Sequence, residues 1–108
     1  MKILFDNGTP APLAFSLRPH QVIRSGQMGW QSLEDGVLLD AAEREGFQVF
    51  ITCDQNIPRQ QNFASRKIAV LVLSSNSWPI IRPVATKIAN MVDFLQRGQV
   101  RRIDVRAL

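Results

Sequence analysis

Two aspartates that follow β-prone segments are the residues of this chain with the clearest chemical potential. Asp6 ends the run Lys2–Phe5, and Asp54 comes just after the aromatic and β-branched run Phe47–Thr52. Two carboxylates held side by side repel each other unless protons or a cation neutralise them. Mg²⁺ prefers hard oxygen ligands, uses only one or two carboxylates and keeps several waters. If the fold brings Asp6 and Asp54 together, the pair predicts a divalent-metal site able to support phosphodiester hydrolysis.

A further acidic pair, Glu34 and Asp35, lies at the start of a predicted helix whose N-cap we assign to Ser32. Either side chain could complete an acidic pocket with Asp6 and Asp54. Each acid also has a structural interpretation, because acids favour helix N-termini and turns and Asp54 could cap the segment after it. Convergence of Asp6 and Asp54 is the stronger indication of a site, since independent caps need not meet.

The elements that must position these acids alternate between strands and helices along the chain. Turn formers and prolines separate the segments, and Gly46 and Gly98 supply helix ends. The predicted strands cover residues 2–5, 20–23, 47–52, 68–73 and 100–105, and the predicted helices cover 11–17, a segment from Ser32 to Gly46, a short stretch within 55–67, and a long segment from Pro83 to Gly98.

This alternation predicts an α/β fold, a three-layer doubly wound parallel sheet of about five strands in a single domain spanning residues 1–108. The continuous apolar run 68–73 is typical of a parallel strand buried on both faces. In one common strand order, 2-1-3-4-5, the first and third strands are neighbours at the switch point where ligands bind. That order would place Asp6 and Asp54 in one crevice.

Basic residues give the chain a net charge of +4, and ten of its thirteen basic residues are arginine. Residues 59–67 carry three bases and no acid, and residues 82–106 carry six bases against two acids. This distribution favours a polyanion such as RNA as partner, although a solvated basic surface would look the same. Arg59, Arg66 and Lys67 follow the Asp54 loop closely, so they are the candidates for phosphate contacts.

Composition excludes several other classes of protein. A lone cysteine, Cys53, forms no disulfide within the chain, and no Cys/His cluster predicts a zinc site. The carboxylate beside Cys53 should raise the pKa of its thiol, so we do not expect a nucleophile there. The apolar run at residues 3–5 is too short for a signal peptide, and no segment approaches the ~20 apolar residues that span a bilayer. We therefore expect a cytoplasmic protein with no membrane association.

Three segments, Ile3–Gly8, Ser32–Asp35 and Phe50–Asn56, resemble the small PIN-like proteins, a branch of the PIN nuclease superfamily. The resemblance covers nearly the whole chain in order and spacing. It implies a PIN-like domain that uses Mg²⁺ or Mn²⁺ to cut single-stranded RNA. Many superfamily members are toxins of the virulence-associated-protein-C type, so a protein antitoxin and a homodimer are implied partners. The residue roles that it implies are catalysis by Asp6, Asp54 and Glu34 or Asp35, metal binding by Asp6, Asp54 and Asn56, and support by Asn7 and Thr52.

The chain departs from the pattern of this branch at two positions. Asn7 stands where an acid often follows the first aspartate, and Asn56 replaces the second acid of an Asp-x-Asp-Phe motif. An asparagine offers a carbonyl oxygen but removes charge, which weakens a site that holds Mg²⁺ mainly by charge. A catalytically degenerate module that binds RNA or an antitoxin is thus an alternative. A receiver-like signalling domain phosphorylated on Asp54 is a third, although Asn7 and the absence of a lysine after Lys87 argue against it.

Overall fold

A computed structural model describes residues 1–57 and 62–108 of the chain. In these residues the strands are β1 (Lys2–Phe5), β2 (Gln21–Arg24), β3 (Val49–Thr52), β4 (Ala69–Leu73) and β5 (Val100–Ile103), and the helices are α1 (Asp35–Arg44), α2 (Trp78–Ile81) and α3 (Ala85–Val92). Short 3₁₀ segments cover Ala11–Leu17, Ser25–Met28, Arg82–Val84 and Val105–Ala107. All strand pairs are parallel, in the order β2-β1-β3-β4-β5. The predicted three-layer α/β fold, including its strand order, is confirmed.

Alternating side chains of the strands form two apolar cores, one on each face of the sheet. The α1 face is the side on which Leu4, Phe50, Val70 and Val72 pack with residues of α1. The α3 face is the side on which neighbouring residues pack with the C-terminal helices; its core includes Ile3, Phe5, Ile51, Leu71, Leu73, Ile81, Ile88 and Val92. Every residue of β3 and β4 is buried, as a central parallel strand covered on both faces requires.

Helix α1 begins later than the sequence indicated. The N-cap prediction for Ser32 is wrong, because Glu34 occupies that position and Asp35 is the first helical residue. Residues 30–33 instead form a turn, closed by a hydrogen bond from the Leu33 amide to the Trp30 carbonyl at 3.0 Å. This turn lets Trp30 and Leu33 pack on the α1 face. Gly46, with φ +82°, follows the end of the helix as expected.

The long helix predicted from Pro83 to Gly98 is also wrong, since Pro83 lies in a 3₁₀ turn that follows α2 and the helix within this region, α3, covers Ala85–Val92. Pro79 and Pro83 each lie in the first positions of a segment, because proline lacks the N–H that would continue the preceding helix. Helix α3 ends at Val92, and Gly98 belongs to the turn that enters β5. In the described part of the chain no helix is long and apolar enough to cross a bilayer.

Gly98 holds this turn against the segment before β4. Its φ is +73°, and a Cβ atom at this position would lie 2.8 Å from the carbonyl oxygen of Arg66. Gly46 has a similar φ, but a Cβ atom added there would have no neighbour within 4 Å. We expect Gly46→Ala to lower the free energy of unfolding by about 1 kcal/mol through backbone strain alone. Gly98→Ala should cost clearly more, because the backbone oxygen must also move. Urea unfolding of both variants measures the difference, and equal losses would contradict the close approach.

Candidate functional site

Asp6 lies at the carboxyl end of β1, where the pairing of β1 with β3 continues one residue beyond the strand. Its amide donates to the Ile51 carbonyl at 3.2 Å. Its Oδ1 accepts hydrogen bonds from the Thr9 amide at 2.9 Å and the Thr9 hydroxyl at 2.6 Å, and its Oδ2 accepts one from the Thr52 hydroxyl. Three donors therefore fix the orientation of the Asp6 carboxylate.

Thr52 connects Asp6 to Asp54. Its side chain is fully buried, and its Oγ1 accepts a hydrogen bond from the Asp54 amide at 3.0 Å while donating to Asp6. The Asp54 Oδ1 in turn accepts from the Asn56 amide at 2.9 Å. The ends of β1 and β3 that carry the two aspartates thus lie side by side and are joined through Thr52, and we call the space beyond these two strand ends the crevice.

Asp35 reaches this crevice from the first turn of α1. The helix packs on the α1 face and connects β2 to the parallel strand β3, so its N-terminus lies at the carboxyl edge of the sheet. The Asn7 side chain holds the loop before α1 by donating to the Gln31 carbonyl at 3.4 Å. Burial raises the pKa of the Asp35 carboxyl, and the negative charges of Asp54 and Asp6 raise it further. Glu34 is exposed at the N-cap, so Asp35 is the member of the pair that faces the other acids.

The donor atoms at this edge suit a hard divalent cation. Oδ1 of Asp6 already accepts two hydrogen bonds, whereas Oδ2 accepts one and keeps a lone pair. Within the described residues, no hydrogen-bond donor contacts Oδ2 of Asp54 or the carboxylate of Asp35. Carboxylate oxygens are the ligands that Mg²⁺ and Mn²⁺ prefer. Residues 1–57 and 62–108 contain no ready-formed group of three or more His, Cys, Asp or Glu side chains arranged around a metal position.

The two asparagines of the sequence pattern have different surroundings. Asn7 accepts a hydrogen bond from the buried Ser25 hydroxyl at 3.0 Å, in addition to its contact with Gln31. Its side chain is therefore engaged in joining two loops to the end of β1. Asn56 is exposed and contacts Asp54 through its backbone amide.

Arg66 and Lys67 lie at the amino ends of the parallel strands, whereas the acids lie at the carboxyl ends. Both immediately precede β4, and in a parallel sheet the residues before a strand and those after its neighbour lie at opposite ends. Arg66 donates to Asp40 Oδ1 at 2.8 Å, and the Lys67 amide donates to Glu43 Oε1 at 2.8 Å. The structure does not bring these predicted phosphate contacts to the crevice. Arg59 lies outside the described residues.

Two residues that shape the site were not predicted from the sequence. Thr9 is buried and supplies two of the three donors to Asp6. The signal for it was present, because Asp and Thr side chains in a turn commonly hydrogen-bond to nearby backbone and to each other. Gln55 fixes the loop after β3 by donating to the Leu73 carbonyl at 2.7 Å. This contact joins two strands distant in sequence, so no local pattern indicated it.

Cys53 points to the α3 face, away from the side on which Asp6 and Asp54 are linked. Burial raises the pKa of its thiol to about 11, the charge of Asp6 adds to the increase, and a hydrogen bond with Thr9 opposes it. The expected increase therefore occurs, but burial is its main cause and Asp6 is the contributing acid.

Comparisons of the chain with protein-family models, curated proteins and solved structures find no match.

The partial burial of Asp35, together with the nearby charges of Asp54 and Asp6, predicts that its ionised form opposes folding. A carboxyl whose pKa is raised in the folded state binds its proton more tightly there, so deprotonation lowers stability as the pH rises. We expect Asp35→Asn to raise Tm at pH 7, with the gain fading as the pH falls toward 3.8, the ordinary pKa of the group. Glu34→Gln is the matched control, because it removes one charge from the same helix end, and it should leave Tm level or slightly lower. An equal increase in both variants would contradict the proximity of Asp35 to the other acids.

The environment of Cys53 predicts a thiol of low reactivity. With a pKa of about 11 in place of 9.0, the thiolate fraction at pH 8 falls by about 100-fold. Alkylation of the folded protein by iodoacetamide should be slower by about ten-fold or more than alkylation of the urea-unfolded chain, because the greater nucleophilicity of a more basic thiolate offsets part of its lower fraction. Comparable rates in the two states would show that Cys53 is neither buried nor affected by Asp6.

Proposed function

We propose that this protein is a divalent-metal-dependent endoribonuclease that cuts single-stranded RNA. The observation that carries the proposal is the bridge from the Asp6 carboxylate through the buried Thr52 hydroxyl to the Asp54 backbone, at the switch point of a parallel sheet. Ligands of such sheets bind at this point, beyond the carboxyl ends of the strands. The PIN-like pattern of the sequence supports the same proposal.

Each acid has a distinct task in this proposal. Asp6, oriented by Thr9 and Thr52, offers its remaining Oδ2 lone pair to the cation, Asp54 offers its Oδ2 as a second ligand, and Asp35 supplies further negative charge. Bound Mg²⁺ or Mn²⁺ would supply Lewis-acid stabilisation of the phosphodiester and a more acidic water. Without a cation the negative charge of the crevice weakens the binding of RNA beside it, and a bound cation would remove this local repulsion.

The biological setting is part of the proposal. The PIN-like resemblance favours a cytoplasmic toxin that pairs with a protein antitoxin and self-associates. A second candidate is a degenerate PIN-like module that binds RNA or an antitoxin without cutting. The engagement of Asn7 by Ser25 and Gln31 favours this candidate, because it gives the Asn7 side chain a structural role and leaves its Oδ1 with one lone pair.

Cleavage of a labelled single-stranded RNA in the presence of Mn²⁺ tests the proposal. Asp54→Asn should reduce the rate at least ~100-fold, because loss of a metal ligand should cost no less than loss of an outer contact. Its Tm should be level with the wild type or higher, because the substitution relieves repulsion with Asp35. Added Mn²⁺ should raise the Tm of the wild type more than that of the variant.

Glu45→Gln is the control for this variant, since it removes an exposed charge just beyond the end of α1 and should leave cleavage unchanged. Full activity in Asp54→Asn would contradict the nuclease proposal. A large fall in Tm would identify Asp54 as a structural cap. Binding of RNA by the wild type without cleavage at any Mn²⁺ concentration would favour the degenerate module.

A further inference from the structure

Charge is unequally divided between the two parts of the chain that build the sheet. Residues 1–57 carry four bases and seven acids, whereas residues 62–108 carry eight bases and two acids. The first part supplies β2, β1 and β3, and the second supplies β4 and β5 at the other end of the strand order. The candidate metal site therefore lies in the acidic part of the molecule, and a polyanion that reaches it should be held by the basic part.

The register of the strands shows which basic residue of the second part lies in the same cross-strand row as the acids and on the same face of the sheet. Thr52 pairs with Val72, and Val72 pairs with Arg102 on the edge strand β5. Asp6 stands beside Thr52 in the same row. Because side chains alternate between faces, Thr52, Val72 and Arg102 all point to the α1 face. Arg102 is two strand spacings, about 10 Å, from the strand that carries Thr52.

Arg102 is exposed and available to bind an anion. The ion pairs of the described residues are His20 with Asp93 and Arg66 with Asp40, and neither involves β5. The nearest acid along the chain, Asp104, accepts hydrogen bonds from the Arg106 amide at 3.1 Å and the Ser74 hydroxyl at 3.5 Å. A planar guanidinium presented in this way binds phosphate in a bidentate geometry.

We propose that Arg102 binds a backbone phosphate of a single-stranded RNA that runs from the acidic crevice across the end of β4 to β5. The inference rests on the proposed nuclease function, and it names the direction of the substrate on the sheet. A phosphate contact on β5 would position the RNA over Asp6 and Asp54 without any recognition of the RNA sequence. It would also supply, from the basic part of the molecule, attraction that the crevice itself lacks.

Arg101 provides a control within the same strand. It is exposed and carries the same charge, but it points to the α3 face, where it lines an open patch with Lys87, Met91 and Phe94. An RNA strand that passes the end of β4 on the side of α1 would not reach Arg101. Replacing Arg101 or Arg102 by glutamine therefore changes net charge and edge-strand composition equally, and only the second change removes the proposed contact.

Fluorescence anisotropy with a labelled oligouridylate in EDTA, over a series of salt concentrations, tests the inference without cleavage. Arg102→Gln should weaken binding roughly five-fold and reduce the slope of log affinity against log salt by about 0.7, the value for one lost contact to a single strand. Arg101→Gln should weaken binding less than about two-fold and leave the slope unchanged, because it alters only the distant field.

Equal effects of the two substitutions, or no effect of Arg102→Gln, would overturn the proposed path, whereas Mn²⁺-dependent cleavage by the wild type would still support the nuclease function. If the wild type binds RNA through Arg102 but never cleaves it, the path stands and the nuclease function fails. Sedimentation at low salt tests whether Arg102 instead contacts a second copy of the chain. Self-association that is abolished by Arg102→Gln and is not displaced by RNA would assign Arg102 to that contact and overturn the proposal.

Discussion

The hydrogen bonds of one buried hydroxyl, that of Thr52, set the geometry on which the site depends. A buried polar group without partners costs roughly 1–3 kcal/mol, so this hydroxyl requires both the Asp6 carboxylate and the Asp54 amide. Its position follows from the β1–β3 register, which sets residue 6 beside residue 52. The turn after β1 and the loop after β3 are thereby fixed relative to each other. Asn7 then extends this order to the loops that contain Ser25 and Gln31.

Electrostatics at the same edge work against stability. Folding partly buries Asp35 and places it near the charges of Asp54 and Asp6, and the upward shift of its pKa expresses the cost. Other acids of the described chain have contacts that favour the fold. Asp40 pairs with Arg66, and Glu43 accepts hydrogen bonds from the amides of residues 67 and 68. Acids gathered without a basic partner are typical of sites where a function outweighs a local loss of stability.

The residues at the two ends of the parallel strands thus have different roles. We call these ends the amino edge and the carboxyl edge of the sheet. At the amino edge, ion pairs and amide contacts join α1 to the segment before β4, and Gly98 allows the turn before β5 to pack closely there. At the carboxyl edge, oriented carboxylates face a crevice whose charge is not neutralised by the described residues. Strand β5 adds a basic side chain near this end of the sheet, because the parallel register places Arg102 in the same row as Thr52.

Hydrophobic pattern and chain connectivity, both present in the sequence, were enough to predict the alternation of strands and helices, the parallel sheet, the 2-1-3-4-5 winding and the neighbouring ends of β1 and β3, which carry Asp6 and Asp54. These are local or topological properties, so they need no knowledge of side-chain contacts. The folded structure was needed to show that Asp35 rather than Glu34 faces the crevice, since consecutive side chains of a helix are rotated by about 100° and the helix start sets which one points inward. It was also needed to show that Arg66 and Lys67 lie far from the acids they follow in sequence. Residues close in sequence are separated in space when the chain runs from the carboxyl end of one parallel strand to the amino end of the next. The register across strands, by contrast, places residues as distant in sequence as Asp6 and Arg102 in one row.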